Sequence, residues 1–163
     1  MYFTDMRRFG NVSFSESDMS ARLAPGILNG ITEKEFLERV KKVRTSKDIL
    51  SVLMDQEKIC SGIGNYLVAE SLYKARISPF RKFTEVTEEE FKKILHYAIE
   101  TATLAYQTYG YTIRNFLVPS GEEGNYSHFI QVYSKSITPS GEIVFPSRGS
   151  HGRTIWWCPT VQT

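Results

Sequence analysis

Cysteine is almost missing from the 163-residue chain, which has only Cys60 and Cys158. Two thiols so far apart exclude a disulfide framework and read as buried free thiols of an intracellular protein, nuclear or cytoplasmic. No apolar run approaches the length of a membrane span, and the amino terminus lacks a basic-then-apolar signal pattern, so no membrane partner is expected. Charge of one sign is also scarce. A formal net charge of +2 does not announce a nucleic-acid binder, and any DNA affinity must come from local placement of charge. Internal repeats are absent, and the length suits one ordinary domain or a helical core with a small appended module.

Helical spacing fills the middle of the chain. Residues 1–10 read as a strand remnant and 11–30 as a polar, Ser-rich linker with Pro25-Gly26 and Asn29-Gly30 turn signals. Thr32 and Glu35 form a capping-box pair ahead of Phe36, Leu37, Val40 and Val43, which predicts a first helix ending near Lys42. Ser46 is placed to cap a second helix carrying Ile49, Leu50, Leu53 and Met54. A third runs from Asn65 through about Ala75 and stops at Ser78-Pro79. The longest begins at the Thr87/Glu90 box, with Phe91, Ile94, Leu95, Ala98, Ile99 and Ala102 on one stripe, and ends at Gly110. These four helices, within 31–110, can bury one another as a bundle. Beyond them, Tyr126–Tyr133, Glu142–Phe145 and Arg153–Trp157 read as strands, Pro139-Ser140-Gly141 as a turn, and Pro146–Gly152 as a polar loop at a cationic hairpin tip.

The most informative string is Asp55–Leu72, where Gly62, Gly64 and Asn65 separate two helical segments. Glycine has no Cβ, so Gly62 and Gly64 permit a tight turn and close approach of another chain, while Asn65 can cap the helix that follows. Free N–H groups at that helix start would face an anion. The Gly-x-Gly pair alone reads first as an ordinary corner between helices, and only the whole string is distinctive.

The full string resembles the helix-two-turns-helix of the formamidopyrimidine-DNA glycosylase and endonuclease VIII family of base excision repair. Asp5-Met6-Arg7-Arg8-Phe9-Gly10 looks like the last strand of the family's amino-terminal catalytic domain, and Thr112-Ile113-Arg114-Asn115-Phe116 resembles its damage-recognition loop. Gln131-Val132-Tyr133 and Gly152–Pro159 look like its terminal β-finger. The resemblance implies a mainly α fold with a small β part: a helix-two-turns-helix bundle (31–110), a recognition-type loop (111–125) and a β-hairpin finger (126–163). The family's catalytic β-sandwich is essentially absent, since only a handful of residues precede Arg7, and the chain reads as a fragment or a truncated relative.

The same resemblance implies site roles. Asn65 and Arg153, with Gly62 and Gly64, would pinch the phosphate backbone around a lesion; amide donors at a helix start and the guanidinium fork suit that task. Taken alone, Arg153 also reads as a solvated hairpin arginine. Arg7 and Phe9 would fill the void left by an extruded nucleotide, a planar cation and a ring each contributing roughly 1 to 3 kcal/mol by stacking. The bland reading of Arg8-Phe9 is the end of a strand. Thr112, Ile113, Arg114 and Asn115 would cover the flipped base, or simply connect two elements.

Many relatives build the finger on four cysteines, and here the pattern fails. The first pair falls on Ile137–Gly141, and only Cys158 remains of the second. Cys158, His151 and His128 give neither the number nor the spacing of structural zinc. A zincless finger is expected, held by Tyr133, Phe145, Ile155, Trp156 and Trp157, with no metal and no cofactor. The family's nucleophile, an amino-terminal proline amine beside a glutamate, has no counterpart at Tyr2-Phe3, and no lysine sits where its pKa would be lowered. The expectation is therefore no catalytic residue and no activity of this chain alone. It would be a monomeric binder of damaged or abasic double-stranded DNA, belonging to an endonuclease VIII-like glycosylase and AP lyase. The alternative is a stand-alone, non-catalytic abasic-site binder of that descent.

Overall fold

A computed structural model of the chain describes residues 14, 16–110 and 125–163. Arg7, Phe9 and Thr112–Asn115 lie outside the described residues. The architecture is mostly helical: α1 (Glu33–Lys42), α2 (Ile49–Leu53), α3 (Asn65–Ala75) and α4 (Glu88–Gln107) precede a two-stranded antiparallel hairpin, β1 (Phe145–Arg148) and β2 (Thr154–Trp157). Single 3-10 turns occupy Met19–Arg22, Phe83–Glu85 and Tyr126–Phe129. Among the described residues no helix is long and apolar enough to cross a membrane.

Capping residues place most helix starts. Thr32 accepts from Glu35 N at α1, and at α4 the Thr87–Glu90 box is reciprocal, so orphan amide donors find acceptors. α2 is capped by Asp48, whose carboxylate accepts from Ser51 N, in place of the expected Ser46; the ionised acceptor sits at the helix's positive end. α3 ends in a left-handed residue, Arg76 at φ 61°, so the chain turns sharply before Pro79.

The core lies between the helices. Phe36 of α1, Ile49 and Leu50 of α2, Val68 and Leu72 of α3, and Ile94 and Ala98 of α4 are almost wholly buried, and Val132, Val144 and Ile155 of the carboxy-terminal part join the same cluster. Burying a large apolar side chain stabilises by roughly 1.5 to 3 kcal/mol, so this shared cluster welds hairpin to helices.

Three strand expectations are corrected. Residues 126–129 form a 3-10 turn instead of a strand, because Tyr126 is drawn fully into a pocket beside Tyr66, ring centroids 5.8 Å apart. β1 begins at Phe145, and the expected loop 146–152 shrinks to Gly149–Arg153, closed by Gly149 N donating to Arg153 O at 2.9 Å. Phe145 is 48% exposed, facing away from the cluster assigned to it. Ile155 is buried and Tyr133 meets Trp156 edge-on at 4.7 Å, while Trp157 pairs with Phe80.

Candidate phosphate-binding site

Gln56 builds the corner before α3. Its Oε1 accepts from Gly62 N (2.7 Å), and its Nε2 donates to Met54 O (2.8 Å) and Ile63 O (3.1 Å). Ser61 is stitched to the upstream chain: its N donates to Pro25 O, and Ile27 N donates to Ser61 O. Gly62 has φ +89°, and a Cβ there would lie 3.2 Å from Ile27 Cγ2, so both conformation and space require glycine. Gly64 is different. Its φ of −92° suits any residue, and a Cβ there would meet nothing of the described chain within 4 Å.

Gly64 is also the residue that caps α3, which corrects the capping role expected of Asn65. Asn65 is the first helical residue, and no side chain caps the helix. Of the four α-helices among the described residues, α3 alone starts without a side-chain acceptor for its first amides. Its positive end therefore faces outward unneutralised.

Asn65 instead reaches the hairpin. Its Nδ2 donates to Thr154 O at 2.9 Å, tying the start of α3 to the residue that follows Arg153. An amide nitrogen carries two hydrogens, so one stays available to an outside acceptor. Arg153 is exposed and forms no ion pair among the described residues. Uncapped amides, a half-committed carboxamide and a free guanidinium thus come from adjoining backbone, an arrangement suited to an oxyanion with several acceptor oxygens.

A second junction fixes the segment ahead of the hairpin against α3. Glu70, fully buried, accepts from Val132 N and Tyr133 N on Oε1 (2.9 and 2.8 Å) and from Gln131 N on Oε2 (2.9 Å). Burial pushes its carboxyl above the ordinary value, against the pull of these three amides. Neither Glu70 nor Gln56 was singled out in the sequence. The available signal for Glu70 was a carboxylate set among Leu67, Val68, Ala69 and Leu72 on the apolar side of the helix.

At the positions where the sequence resemblance would place paired cysteines, this chain has other chemistry. A turn is closed by Thr138 and Glu142, whose hydroxyl and carboxylate are hydrogen-bonded. Cys158 N donates to Gln162 Oε1 (2.7 Å), and Gln162 Nε2 donates onward to Ile77 O (2.9 Å), linking hairpin to helix end. Cys158 Sγ lies 3.1 Å from Thr160 Oγ1. One thiol beside a hydroxyl does not make a four-ligand zinc set, and among the described residues no group of three or more His, Cys, Asp or Glu is arranged to hold a metal ion.

The model of the formamidopyrimidine-DNA glycosylase H2TH domain matches residues 10–116. The chain belongs to the formamidopyrimidine-DNA glycosylase and endonuclease VIII family. It corresponds to the family's carboxy-terminal part. The formamidopyrimidine-DNA glycosylase of Pelotomaculum thermopropionicum is 31% identical over 99% of this chain and 61% of its own length, and that of Bacillus cereus 30% over 99% and 61%. The chain thus spans about 60% of the family relatives it matches. The solved MutM protein of Thermus thermophilus superposes with a TM-score of 0.79 at 28% identity, over 87% of this chain and 54% of that one. The Lactococcus lactis enzyme in complex with abasic-site DNA gives 0.76 at 26% identity, over 89% and 53%.

Proposed function

We propose that this chain is the damaged-DNA-binding part of an endonuclease VIII-like DNA glycosylase and AP lyase, gripping the phosphate backbone around a flipped nucleotide. The observation that carries this is the uncapped start of α3 tied through Asn65 to the residue beside Arg153. The space left open over Gly64 by the described residues fits close approach of a nucleic-acid backbone, which a side chain would obstruct. Structures of the Lactococcus lactis relative hold Fapy-dG and abasic-site DNA, which supports damaged or abasic duplex as the ligand. Arg7 and Phe9 are assigned to the void left by the flipped nucleotide, and Thr112, Ile113, Arg114 and Asn115 to covering it. The finger is read as zincless, held by the buried Glu70 junction, the Gln162 bridge and the apolar cluster.

The test is fluorescence anisotropy of a short duplex carrying a tetrahydrofuran abasic analogue. Arg153→Ala removes a charge-assisted contact of about 1.5–3 kcal/mol, roughly 10- to 100-fold in Kd, and lowers the salt slope by about one phosphate. Unchanged affinity and salt slope in both Arg153→Ala and Asn65→Ala would refute the grip.

A further inference from the structure

The hairpin tip is fastened to α2 by groups that the phosphate grip itself does not use. Ser150 Oγ donates to Asp48 Oδ2 at 2.5 Å and is hydrogen-bonded to Ser51 Oγ. Asp48 Oδ1 accepts from Ser51 N at 2.7 Å, so one carboxylate both caps α2 and holds the tip. Burial alone would raise the Asp48 carboxyl, but the Ser150 and Ser51 hydrogen bonds and nearby His151 outweigh it and leave it below the ordinary value.

His151 folds back beneath the same tip. A Cβ on Gly149 would fall on the His151 ring at Cε1 and Nδ1 and lie 2.9 Å from Leu50 Cδ2, so the ring occupies the space that this glycine leaves. Both ring nitrogens are buried without a hydrogen-bond partner. An imidazolium carries two N–H donors, and charging the ring there would leave both unsatisfied. Burial lowers the His151 pKa below its ordinary 6.5, Arg153 of the same hairpin lowers it further, and Asp48 at the α2 cap opposes them. Among the described residues these are the charged groups that act on the ring.

We propose that Asp48, Ser150 and His151 are positioning residues that form a proton-sensitive latch, holding Arg153 beside the start of α3 while His151 is neutral and releasing it when the ring takes up a proton. This rests on the phosphate-grip reading and supplies its regulation. The imidazolium's natural acceptor is the Asp48 carboxylate that Ser150 now occupies; exchanging one partner for the other draws the tip out of place. The latched state binds the proton less readily than the released one, whose histidine titrates near the ordinary 6.5. It is therefore fully favoured above that pH and loses up to about tenfold per pH unit below it, until the latched state also titrates.

The experiment compares the whole chain with His151→Gln and Asp48→Asn; asparagine keeps a cap-competent side chain and drops the charge. Affinity for the tetrahydrofuran duplex is measured at constant ionic strength from about pH 7.5 to about pH 5.5, across the histidine range. The expected result is that the parent chain weakens by about threefold or more relative to His151→Gln as the pH falls. By NMR, the His151 ring, assigned by its loss in His151→Gln, titrates below 6.5, and lower still in Asp48→Asn. Equal pH profiles for the parent and His151→Gln, with binding intact near neutrality, overturn the latch and leave the grip standing. A chain that binds no DNA at any pH overturns the grip instead, and a His151 midpoint at or above 6.5 then overturns the latch without reference to DNA.

Discussion

Gly62 and Gly64 look alike in the sequence and answer to different constraints. Gly62 is fixed by its own fold, at φ +89° with Ile27 close against it, so Gly62→Ala brings backbone strain of about 1–3 kcal/mol and a tight contact that Ile27 must relieve. Gly64→Ala fits the isolated chain, because no atom of the described residues lies within 4 Å of where its Cβ would stand. The expected outcome is a melting temperature lowered by the first substitution and barely moved by the second, with the loss of DNA affinity concentrated in the second. Thermal melts alongside anisotropy separate the two. Gly149→Ala makes a third case: its Cβ would evict the His151 ring, and the histidine should then titrate close to its ordinary value, as NMR would show.

Among the elements, α4 depends on charge at its start. Glu90 closes the capping box with Thr87 and takes a two-pronged bond from Arg81, at 2.7 and 2.9 Å. The Arg81 hydrogen bond holds its carboxyl down to about 2, from an ordinary 4.5. A carboxyl depressed by folding contributes stability that is present above its unfolded value and lost as the pH falls through the folded one. Urea unfolding should therefore show stability declining between 4.5 and about 2, and Glu90→Gln should flatten that limb. In α3, Glu70→Gln turns an amide donor toward backbone donors and should cost about 1–3 kcal/mol. The box at Thr87/Glu90, the α1 cap and the apolar stripes were legible because each is a local pattern in one helix. The Asp48 cap was missed in favour of Ser46, since both are good caps and the choice is made by contacts with Ser51 and the distant Ser150. Strand limits were less legible, because a two-stranded hairpin takes its register from what it packs on, here the cluster around Ile155, and because the burial of Tyr126 in a cluster of its own turns 126–129 away from a strand.

At the scale of the molecule, the helices and the carboxy-terminal part share one apolar cluster and are joined by Glu70, Asn65 and Gln162. Ile155→Ala should therefore cost about 2–5 kcal/mol and loosen helices as well as hairpin. Both tryptophans, Trp156 and Trp157, lie in β2, so their fluorescence follows the hairpin while far-ultraviolet circular dichroism follows the helices. Coincident transitions are the expected result. The family resemblance and the bundle were readable from the chain in order. The long-range ties were not, because residues 61 to 89 positions apart meet only after folding.

The aromatic rings that line this junction form a relay, from Tyr126 to Tyr66 at 5.8 Å, Tyr66 to Tyr133 at 6.2 Å and Tyr133 to Trp156 at 4.7 Å. Light absorbed by those phenols drains into the indole for as long as the stack is closed. The molecule thus carries its own optical gauge of whether its two parts are seated, readable in an emission spectrum with no dye attached.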